Sequence, residues 1–361
     1  MVYTTIPILI HEVSDIMTKM MNEILEQPEV LLRCYNTNKE KIIKLVETIK
    51  GRDISSVVIA ARGTSDHAGI YGKYIIECEM GLPVSLASPS VYTIYKRKMN
   101  LENSLVIGVS QSGKAADVLE VIKSAKECGA VTVSITNDET SPLATEAGTH
   151  LFCDAGLEKS VAATKTCTSE MYLLAQLVAE WAGNENIKRE LSLIPNKLSE
   201  IFKEGESIAE KVERYRFMDE CFVLARGVNY PIALESALKI QETAYVRAKA
   251  YATSDFYHGP FAMIQKDMPV IVYAPNGPTL KDTTEMINKL KENDAEIIVV
   301  SNNAEVLGMG NCSFEIPQTS NDVVSPFYNV VLAQMFACNL SLIKGLNPDS
   351  PRSLNKITIT K

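Results

Sequence analysis

Residues 55–63 read Ser-Ser-Val-Val-Ile-Ala-Ala-Arg-Gly, a run of β-branched and small apolar residues that ends on an arginine and a glycine. The pattern returns 164 residues later, where residues 220–227 read Glu-Cys-Phe-Val-Leu-Ala-Arg-Gly. The same shift carries 106–113 (Val-Ile-Gly-Val-Ser-Gln-Ser-Gly) onto 270–277 (Val-Ile-Val-Tyr-Ala-Pro-Asn-Gly). Two separate segments that align by one offset indicate an internal duplication.

Each half of the chain alternates apolar strands with helical stretches. In the first half we predict strands at 56–61, 104–109 and 131–136 and helices at 66–79 and 114–128. Continuously apolar strands joined by amphipathic helices are typical of a parallel sheet covered on both faces. The predicted fold class is therefore α/β, with two similar parallel-sheet layers in tandem that are related by the internal duplication. The predicted boundaries are N-terminal helices at 1–50, a first domain at 51–185, linker helices and a second domain at 186–345, and a tail at 346–361.

Composition narrows the class of protein. The 361 residues carry a formal net charge of −8, which argues against a nucleic-acid partner. The longest apolar stretch, 330–343, is interrupted and is predicted to be too short to span a membrane. No export signal is recognised, and eight cysteines without a C-x-x-C pair form no disulfide framework or metal site. We therefore predict a cytoplasmic protein with no metal, no cofactor, and no nucleic-acid or membrane partner.

Hydroxyl groups follow two neighbouring strands of the first half. Residues 62–65 read Arg-Gly-Thr-Ser and residues 110–113 read Ser-Gln-Ser-Gly. Parallel sheets bind ligands beyond the carboxyl ends of their strands, and a helix N-terminus favours an anion. Each motif alone could also be a helix cap or a turn. Since 274–277 in the second half read Ala-Pro-Asn-Gly, without a hydroxyl, we predict one phosphate site per chain.

Charged residues lie on an apolar helix of the second half. The helix predicted from Pro231 to Ala248 carries Glu235, Lys239 and Glu242 at i, i+4 and i+7, which share one helical face. That spacing is also usual for a solvated row of ion pairs. The neighbours of these residues are mostly apolar, however, and His258 follows in a turn next to the helix. A carboxylate and an imidazole near a phosphorylated substrate can move protons at carbon and oxygen.

These motifs, in this order, resemble the tandem sugar-isomerase (SIS) domain family, and in particular the isomerase half of glucosamine-6-phosphate synthase. The resemblance runs from about residue 20 to the C-terminus and implies the three-layer αβα fold twice. The matching stretches are Met-Asn-Glu-Ile-Leu-Glu-Gln-Pro (21–28), Arg-Gly-Thr-Ser (62–65), Ser-Gln-Ser-Gly (110–113), Glu-Lys-Ser-Val-Ala-Ala-Thr-Lys (158–165), Ala-Leu-Lys (237–239), His-Gly-Pro (258–260) and Pro-Arg-Ser-Leu-Asn-Lys (351–356).

The resemblance implies a role for each matching residue. The residues that would hold the sugar phosphate are Ser65, Ser110, Gln111 and Ser112, with Thr64 beside them. Val161 and Ala162 would line the sugar pocket. The implied proton-transfer residues are Glu242 as the base between C1 and C2, Glu235 and Lys239 as its helpers, His258 as the acid/base that opens the ring, and Lys356 as a Schiff-base lysine. Because the family supplies the histidine from a partner subunit, a homodimer with a shared active site is also implied.

The sequence departs from the synthase in two places. Ala115, preceded by Lys114, stands where the synthase has a fourth phosphate hydroxyl. The glutaminase domain is absent from this sequence, so synthase activity is not expected. The run Gly-Thr-Ser-Asp-His-Ala-Gly (63–69) and the ending Leu-Asn-Lys (354–356) look instead like SIS-type glucosamine-6-phosphate deaminases. The resemblance therefore implies conversion of glucosamine 6-phosphate into fructose 6-phosphate and ammonia.

Three other functions fit parts of the pattern. A deglycase for fructosamine or glucoselysine 6-phosphate would use the same phosphate site and base with a larger amine pocket. A plain aldose–ketose isomerase would stop before deamination. A sugar-phosphate-sensing regulator needs the hydroxyl loops but has no use for Glu242, His258 and Lys356 together, so we favour an enzyme.

Overall fold

The computed structural model describes residues 17–354 and residue 356. Within them, ten strands form two five-stranded sheets in which all neighbours are parallel. The strands are β1 (Ser56–Ala60), β2 (Val84–Leu86), β3 (Ser104–Val109), β4 (Val131–Thr136), β5 (Thr149–Phe152), β6 (Glu220–Ala225), β7 (Arg247–Ala252), β8 (Pro269–Tyr273), β9 (Glu296–Ser301) and β10 (Cys312–Glu315).

Helices precede, separate and follow these strands. The α-helices are α1 (Lys19–Leu25), α2 (Gln27–Lys50), α3 (Thr64–Met80), α4 (Ser90–Thr93), α5 (Ala116–Glu127), α6 (Pro142–Glu146), α7 (Lys165–Ala182), α8 (Glu185–Lys203), α9 (Gly205–Glu213), α10 (Tyr230–Ala244), α11 (Thr253–Phe256), α12 (Leu280–Glu292), α13 (Ala304–Leu307) and α14 (Ser325–Ile343). Short 3₁₀ turns lie at Gly227–Asn229, Pro260–Met263 and Asp322–Val324.

The two sheets have the same strand order, which confirms the predicted duplication. The first sheet runs β2-β1-β3-β4-β5 and the second β7-β6-β8-β9-β10, the flavodoxin-like order. Even the register is repeated: Val58 lies opposite Val106, and the shift of 164 residues carries this pair onto Phe222 opposite Val270. The predicted α/β fold of two tandem αβα domains is thus confirmed.

Alternate residues of each strand face different layers, because side chains of a strand point to opposite faces in turn. Val57 and Ile59 of β1 and Val223 of β6 belong to one large core, which the inner helices share between the two sheets. Leu224 of β6 faces an outer core under α12, and Val106 of β3 faces a separate outer core under α5. Each sheet therefore has helices on both faces, and α3 packs against α10 in the shared core.

One predicted helix boundary is wrong. The helix expected from Pro231 to Ala248 ends at Ala244, because Tyr245 adopts a left-handed conformation with φ of 56°. Residues 247–252 instead form β7, which pairs with β6 along its whole length. Exposed and buried side chains alternate at the start of this segment, as in Arg247 and Ala248, and that period of two is typical of a strand.

The apolar stretch near the C-terminus is longer than the sequence reading allowed. A helical segment from Asp322 to Ile343 is long and apolar enough to cross a membrane, so its description as too short is wrong. However, 94% of its most apolar window is buried inside the protein. It packs against α10, α9 and α8, so core packing accounts for its composition.

The outer segments attach to these layers. α2 packs on α7 and α8, and α8 and α9 lie between the two halves along the chain. The Asp349 carboxylate in the tail accepts hydrogen bonds of 2.8 Å from the Lys19 and Met20 N–H groups at the start of α1. The exact domain boundaries stay a prediction.

Candidate active site

Two loops at the carboxyl end of the first sheet carry the predicted phosphate residues. The loop after β1 turns through Gly63 (φ 55°) directly into α3, and the loop after β3 turns through Gly113 (φ 62°). A Cβ at Gly113 would lie 2.0 Å from Ser141 Oγ, so only glycine fits there. The two loops come together because β1 and β3 are neighbours in the sheet.

The hydroxyl groups of the second loop can still donate hydrogen bonds to a ligand. Ser110 is mostly buried, whereas Gln111 and Ser112 are partly exposed. The Asn137 N–H donates to the Gln111 carbonyl at 2.9 Å, and the Lys114 N–H donates to Ser112 Oγ at 3.3 Å. The Ser112 hydroxyl only accepts in this bond, so it keeps its own proton for a ligand.

Ser65 and Thr64 lie in the first turn of α3 and point to different neighbours. Ser65 Oγ is hydrogen-bonded to Glu170 Oε1 at 2.9 Å. Thr64 Oγ1 donates to Glu235 Oε1 and accepts from Lys239 Nζ, both at 3.2 Å. A hydroxyl has a single proton, so Thr64 contacts α10 rather than the predicted phosphate site.

The three charged residues predicted on one helical face form a connected cluster. Lys239 Nζ lies 2.6 Å from Glu242 Oε2 and 3.4 Å from Glu235 Oε1. Lys239 and Glu235 are fully buried, whereas 23% of the Glu242 side chain is exposed. Glu242 is therefore the member of the cluster that a ligand can reach, and the row is not a solvated stripe.

Burial and opposite charges compete at this cluster. Burial alone would raise the pKa of Glu235, but Lys239 and His67 hold that pKa below its ordinary value. Burial would likewise lower the pKa of Lys239, but Glu235 and Glu242 raise it above its ordinary value. The buried lysine therefore stays charged and fixes the position of both carboxylates.

His67 is a member of the cluster that the sequence analysis did not single out. Its Nδ1 lies 2.7 Å from Glu235 Oε2, and its side chain is mostly buried. The residue stands in the first turns of α3, three positions after Thr64. The sequence signal that could have identified His67 is its place in the run 63–69. That run follows β1, and the neighbouring strand β3 is followed by the other hydroxyl loop.

A second ion pair lies at the loop before α7. Lys356 Nζ in the tail is 2.6 Å from Glu158 Oε2, and Glu158 is fully buried. The Thr164 and Thr166 N–H groups donate to Glu158 Oε1 at 2.9 and 3.1 Å. Burial would raise the pKa of Glu158, but Lys356 and these N–H groups hold it below its ordinary value. Sequence reasoning found Lys356 and missed its partner, although Glu158 stands in a quoted motif.

The predicted sugar-pocket residues Val161 and Ala162 belong to the same loop. Ala162 is buried and Val161 is partly exposed. A carboxylate from α1, Glu23, accepts hydrogen bonds from the Ser160 N–H, from the Ser160 hydroxyl and from the Lys159 N–H. Glu23 therefore holds the loop in place, a function that its position in the motif 21–28 did not reveal.

His258 does not join these groups. It is exposed after α11, and its side chain has no hydrogen bond or ion pair to any residue that the structure describes. Its predicted role as a group supplied by a partner subunit stays a prediction. Among residues 17–354 and 356, no set of three His, Cys, Asp or Glu side chains lies close enough to hold a metal ion.

The halves of the chain match a known family model twice. The model described as the SIS domain matches residues 52–180 and again residues 218–344. Glutamine–fructose-6-phosphate aminotransferase (isomerizing) of Aquifex aeolicus is 34% identical to the chain over 347 residues. That alignment covers 94% of this chain but only 57% of the aminotransferase.

Solved structures with the same fold include the corresponding part of such an enzyme. The C-terminal domain of glucosamine-fructose-6-phosphate aminotransferase from Francisella tularensis superposes with a TM-score of 0.83 at 27% identity, covering 92% of this chain and 98% of that one. Glucosamine-6-phosphate deaminase from Thermotoga maritima superposes with a TM-score of 0.77, covering 95% of this chain and 100% of that one. At 23% identity the deaminase demonstrates a shared fold alone.

Proposed function

The chain belongs to the SIS domain family, and we propose that it is a sugar-phosphate isomerase and deaminase that converts glucosamine 6-phosphate into fructose 6-phosphate and ammonia. The observation that carries this proposal is the contact between the halves. Thr64, beside the hydroxyl loops of the first half, is hydrogen-bonded to Glu235 and Lys239 of the second. An anion-binding end and a proton-transfer end therefore belong to one site.

The first task of the site is to hold the phosphate. The predicted phosphate residues lie where the loops after β1 and β3 lead into α3 and α5; they are Ser65, Ser110, Gln111 and Ser112. Hydroxyl and backbone N–H donors suit a phosphate group, and the helix dipoles favour its charge. Thr64 has the separate task of tying this end to the catalytic helix.

The second task is proton transfer. Glu242 removes the C2 proton of the open-chain aminoaldose and returns it to C1, while a proton of the amine passes to O1. The C1 aldehyde thereby becomes an alcohol and the C2 amine becomes an imine. Water adds to that imine, and ammonia leaves to give the ketose phosphate. The charged Lys239, 2.6 Å from Glu242, fixes the carboxylate, while Glu235 and His67 fix Lys239 in turn.

The remaining groups complete the cycle. His258 opens the sugar ring, and we propose that it does so in the site of a second copy, since it contacts none of the other groups within its own chain. Lys356 is held by Glu158 at 2.6 Å, and we propose that it acts on the ketose end of the substrate. All eight cysteines are free, which is in keeping with a reducing compartment, so we also propose a cytoplasmic location.

One other enzymatic function uses the same residues. A deglycase would cleave a fructosamine 6-phosphate by the reverse proton transfer, with an amine larger than ammonia as the leaving group. The loop held by Glu23, which carries Val161, is the wall whose shape would decide between the two substrates.

The test is ammonia release from glucosamine 6-phosphate, with Glu242→Gln as the control. We expect stoichiometric ammonia and fructose 6-phosphate from the wild type and none above background from the variant. Fructosamine 6-phosphate, run in parallel, tests the deglycase. Thermal stabilisation by fructose 6-phosphate without turnover of either compound would refute both enzymes and leave a sugar-phosphate sensor.

A further inference from the structure

A buried carboxyl group lies directly behind the predicted phosphate site. We propose that Glu170 is a protonated positioning residue, whose carboxylic acid donates to Ser65 Oγ and so leaves the Ser65 proton free for the phosphate of the substrate. This inference rests on the proposed function in one respect, that Ser65 is a phosphate ligand. The proton shuttle of Glu242 has no part in it.

Glu170 is placed for this role by its burial and its single partner. It lies on α7, is 1% exposed, and has Oε1 2.9 Å from Ser65 Oγ. Its Oε2 is also buried and has no hydrogen-bond partner among the described residues. A buried carboxylate that leaves one oxygen unsatisfied is much costlier than a neutral carboxylic acid in the same place.

The charges that face Glu170 add to this preference. Glu158 from the preceding loop and Glu235 from α10 are both negative, and Lys356 from the tail is already paired with Glu158. The other titratable neighbours are two buried thiols, Cys153 and Cys167. Burial, together with Glu158 and Glu235, raises the pKa of Glu170 well above its ordinary value.

The protonation state decides what Ser65 can offer a ligand. An ionised Glu170 would accept the only proton of the Ser65 hydroxyl, and the phosphate would then meet a lone pair with a negative charge behind it. A protonated Glu170 donates its own proton to Ser65 Oγ at the same distance. Ser65 then donates to the phosphate, so anion binding and the proton on Glu170 are linked.

The test uses sulfate, which does not titrate between pH 6 and 9, as the probe for the full-length protein in calorimetric titrations. Glu170→Gln keeps an N–H donor for Ser65, whereas Glu170→Met keeps the volume and lacks a donor. At pH 6 we expect Glu170→Gln to bind sulfate with the wild-type affinity. At higher pH the wild type should lose affinity as Glu170 ionises, whereas the affinity of Glu170→Gln should not change. Glu170→Met should bind sulfate about threefold to tenfold more weakly, because the Ser65 hydroxyl loses the neutral hydrogen bond that orients its proton toward the anion.

Two controls separate this role from a general disturbance of the helix. Gln176→Met replaces another buried polar side chain of α7, six residues further on, and should leave the sulfate affinity unchanged. In a Ser65→Ala background, Glu170→Met should cost no further affinity. In turnover, Glu170→Met should raise KM for the sugar phosphate and leave kcat within a few-fold.

Three results would overturn the proposal. Sulfate affinity more than tenfold higher in Glu170→Gln at pH 6 to 7 would mean that the wild-type carboxyl is ionised. Wild-type affinity in Glu170→Met would mean that Ser65 needs no donor from Glu170. Absence of sulfate binding by the wild type would remove the phosphate site and the proposed function with it, whereas normal sulfate binding without ammonia release would remove the proposed reaction alone.

Discussion

The two halves share a scaffold and divide the chemistry. Their sheets have the same strand order and the same register. The side chains differ: the shift of 164 residues carries Thr64-Ser65 onto Val228-Asn229. The same shift carries three residues of α3 onto the charged residues of α10, namely Tyr71 onto Glu235, Ile75 onto Lys239 and Cys78 onto Glu242. The first half has hydroxyl groups in these loops and no charge on the matching face of α3. The second half lacks the loop hydroxyls and has the charged face of α10. Because α3 packs against α10, each half supplies what the other lacks.

The loops after β3 and β8 also differ in whether they suit an anion. In the first half Gly113 lies against the neutral Ser141. In the second, Gly277 lies against Asp322, whose buried Oδ1 has no hydrogen-bond partner in the part of the chain that the structure describes. The Asn276 side chain is hydrogen-bonded to Asn302 and Asn303. A carboxylate at this place repels an anion, which gives a physical reason for one phosphate site per chain.

The largest effect should come from removing the base. We expect Glu242→Gln to lower kcat about 10²–10⁴-fold with KM little changed, because only proton transfer is lost. The matched control is Cys78→Ser, at the equivalent position of the exposed end of α3, which should keep kcat. A kcat loss of similar size in both variants would contradict a division of chemistry between the halves.

The next effect should be on binding. Ser112→Ala removes a hydroxyl from the loop after β3 and should raise KM for the sugar phosphate about tenfold to hundredfold with a small change in kcat. Asn276→Ala makes the equivalent change in the second half and should leave KM as it is. Steady-state kinetics of both variants test this, and a raised KM for Asn276→Ala would indicate a second anion site.

A third prediction concerns stability and pH. Burial raises the pKa of Asp322 to about 6 from 3.8, so the folded state holds its proton more tightly than the unfolded state and stability falls as the pH rises from about 4 through 6. Asp322→Asn should therefore stabilise the protein by about 1–2 kcal/mol at pH 7, after allowance for partial exposure, and by little at pH 4. Urea unfolding at both pH values checks this.

The control for that measurement is the exposed Asp53, in the loop before β1. Asp53→Asn should change the free energy of unfolding by less than about 0.5 kcal/mol at either pH. If both substitutions raised the free energy of unfolding equally, the change in net charge would be the cause, and not the removal of the Asp322 carboxylate beside Gly277.

The smallest effect should come from an arginine–aspartate pair that both halves contain. Arg62 Nε lies 2.7 Å from Asp117 Oδ2, and the equivalent Arg226 Nε lies 3.2 Å from Asp282 Oδ2. Asp117 is nearly buried and Asp282 is 45% exposed. We expect Asp117→Asn to cost about 1 kcal/mol in unfolding free energy and Asp282→Asn less than about 0.5 kcal/mol. The reverse order would mean that burial does not set the strength of these pairs.

Sequence patterns were sufficient for the fold because its elements are locally encoded. The β-branched strands, their spacing and the repeated offset predicted β1, β3 and β4 of the first sheet and the matching β6, β8 and β9 of the second, and the motifs predicted the family. The predicted helix Pro231–Ala248 ran too far because Arg247 and Ala248 suit a helix as well as a strand, and pairing with β6 decided the outcome.

Spacing along the chain determined which face of α10 carries charge and which turns carry hydroxyls, since both follow from helical and strand periodicity. Only the tertiary structure joined Thr64 to Glu235 across 171 positions and Glu158 to Lys356 across 198. It alone showed that Glu170 and Glu23 are buried at this site. Local sequence determines periodicity, whereas the partners and the burial of a charged group depend on how distant elements pack.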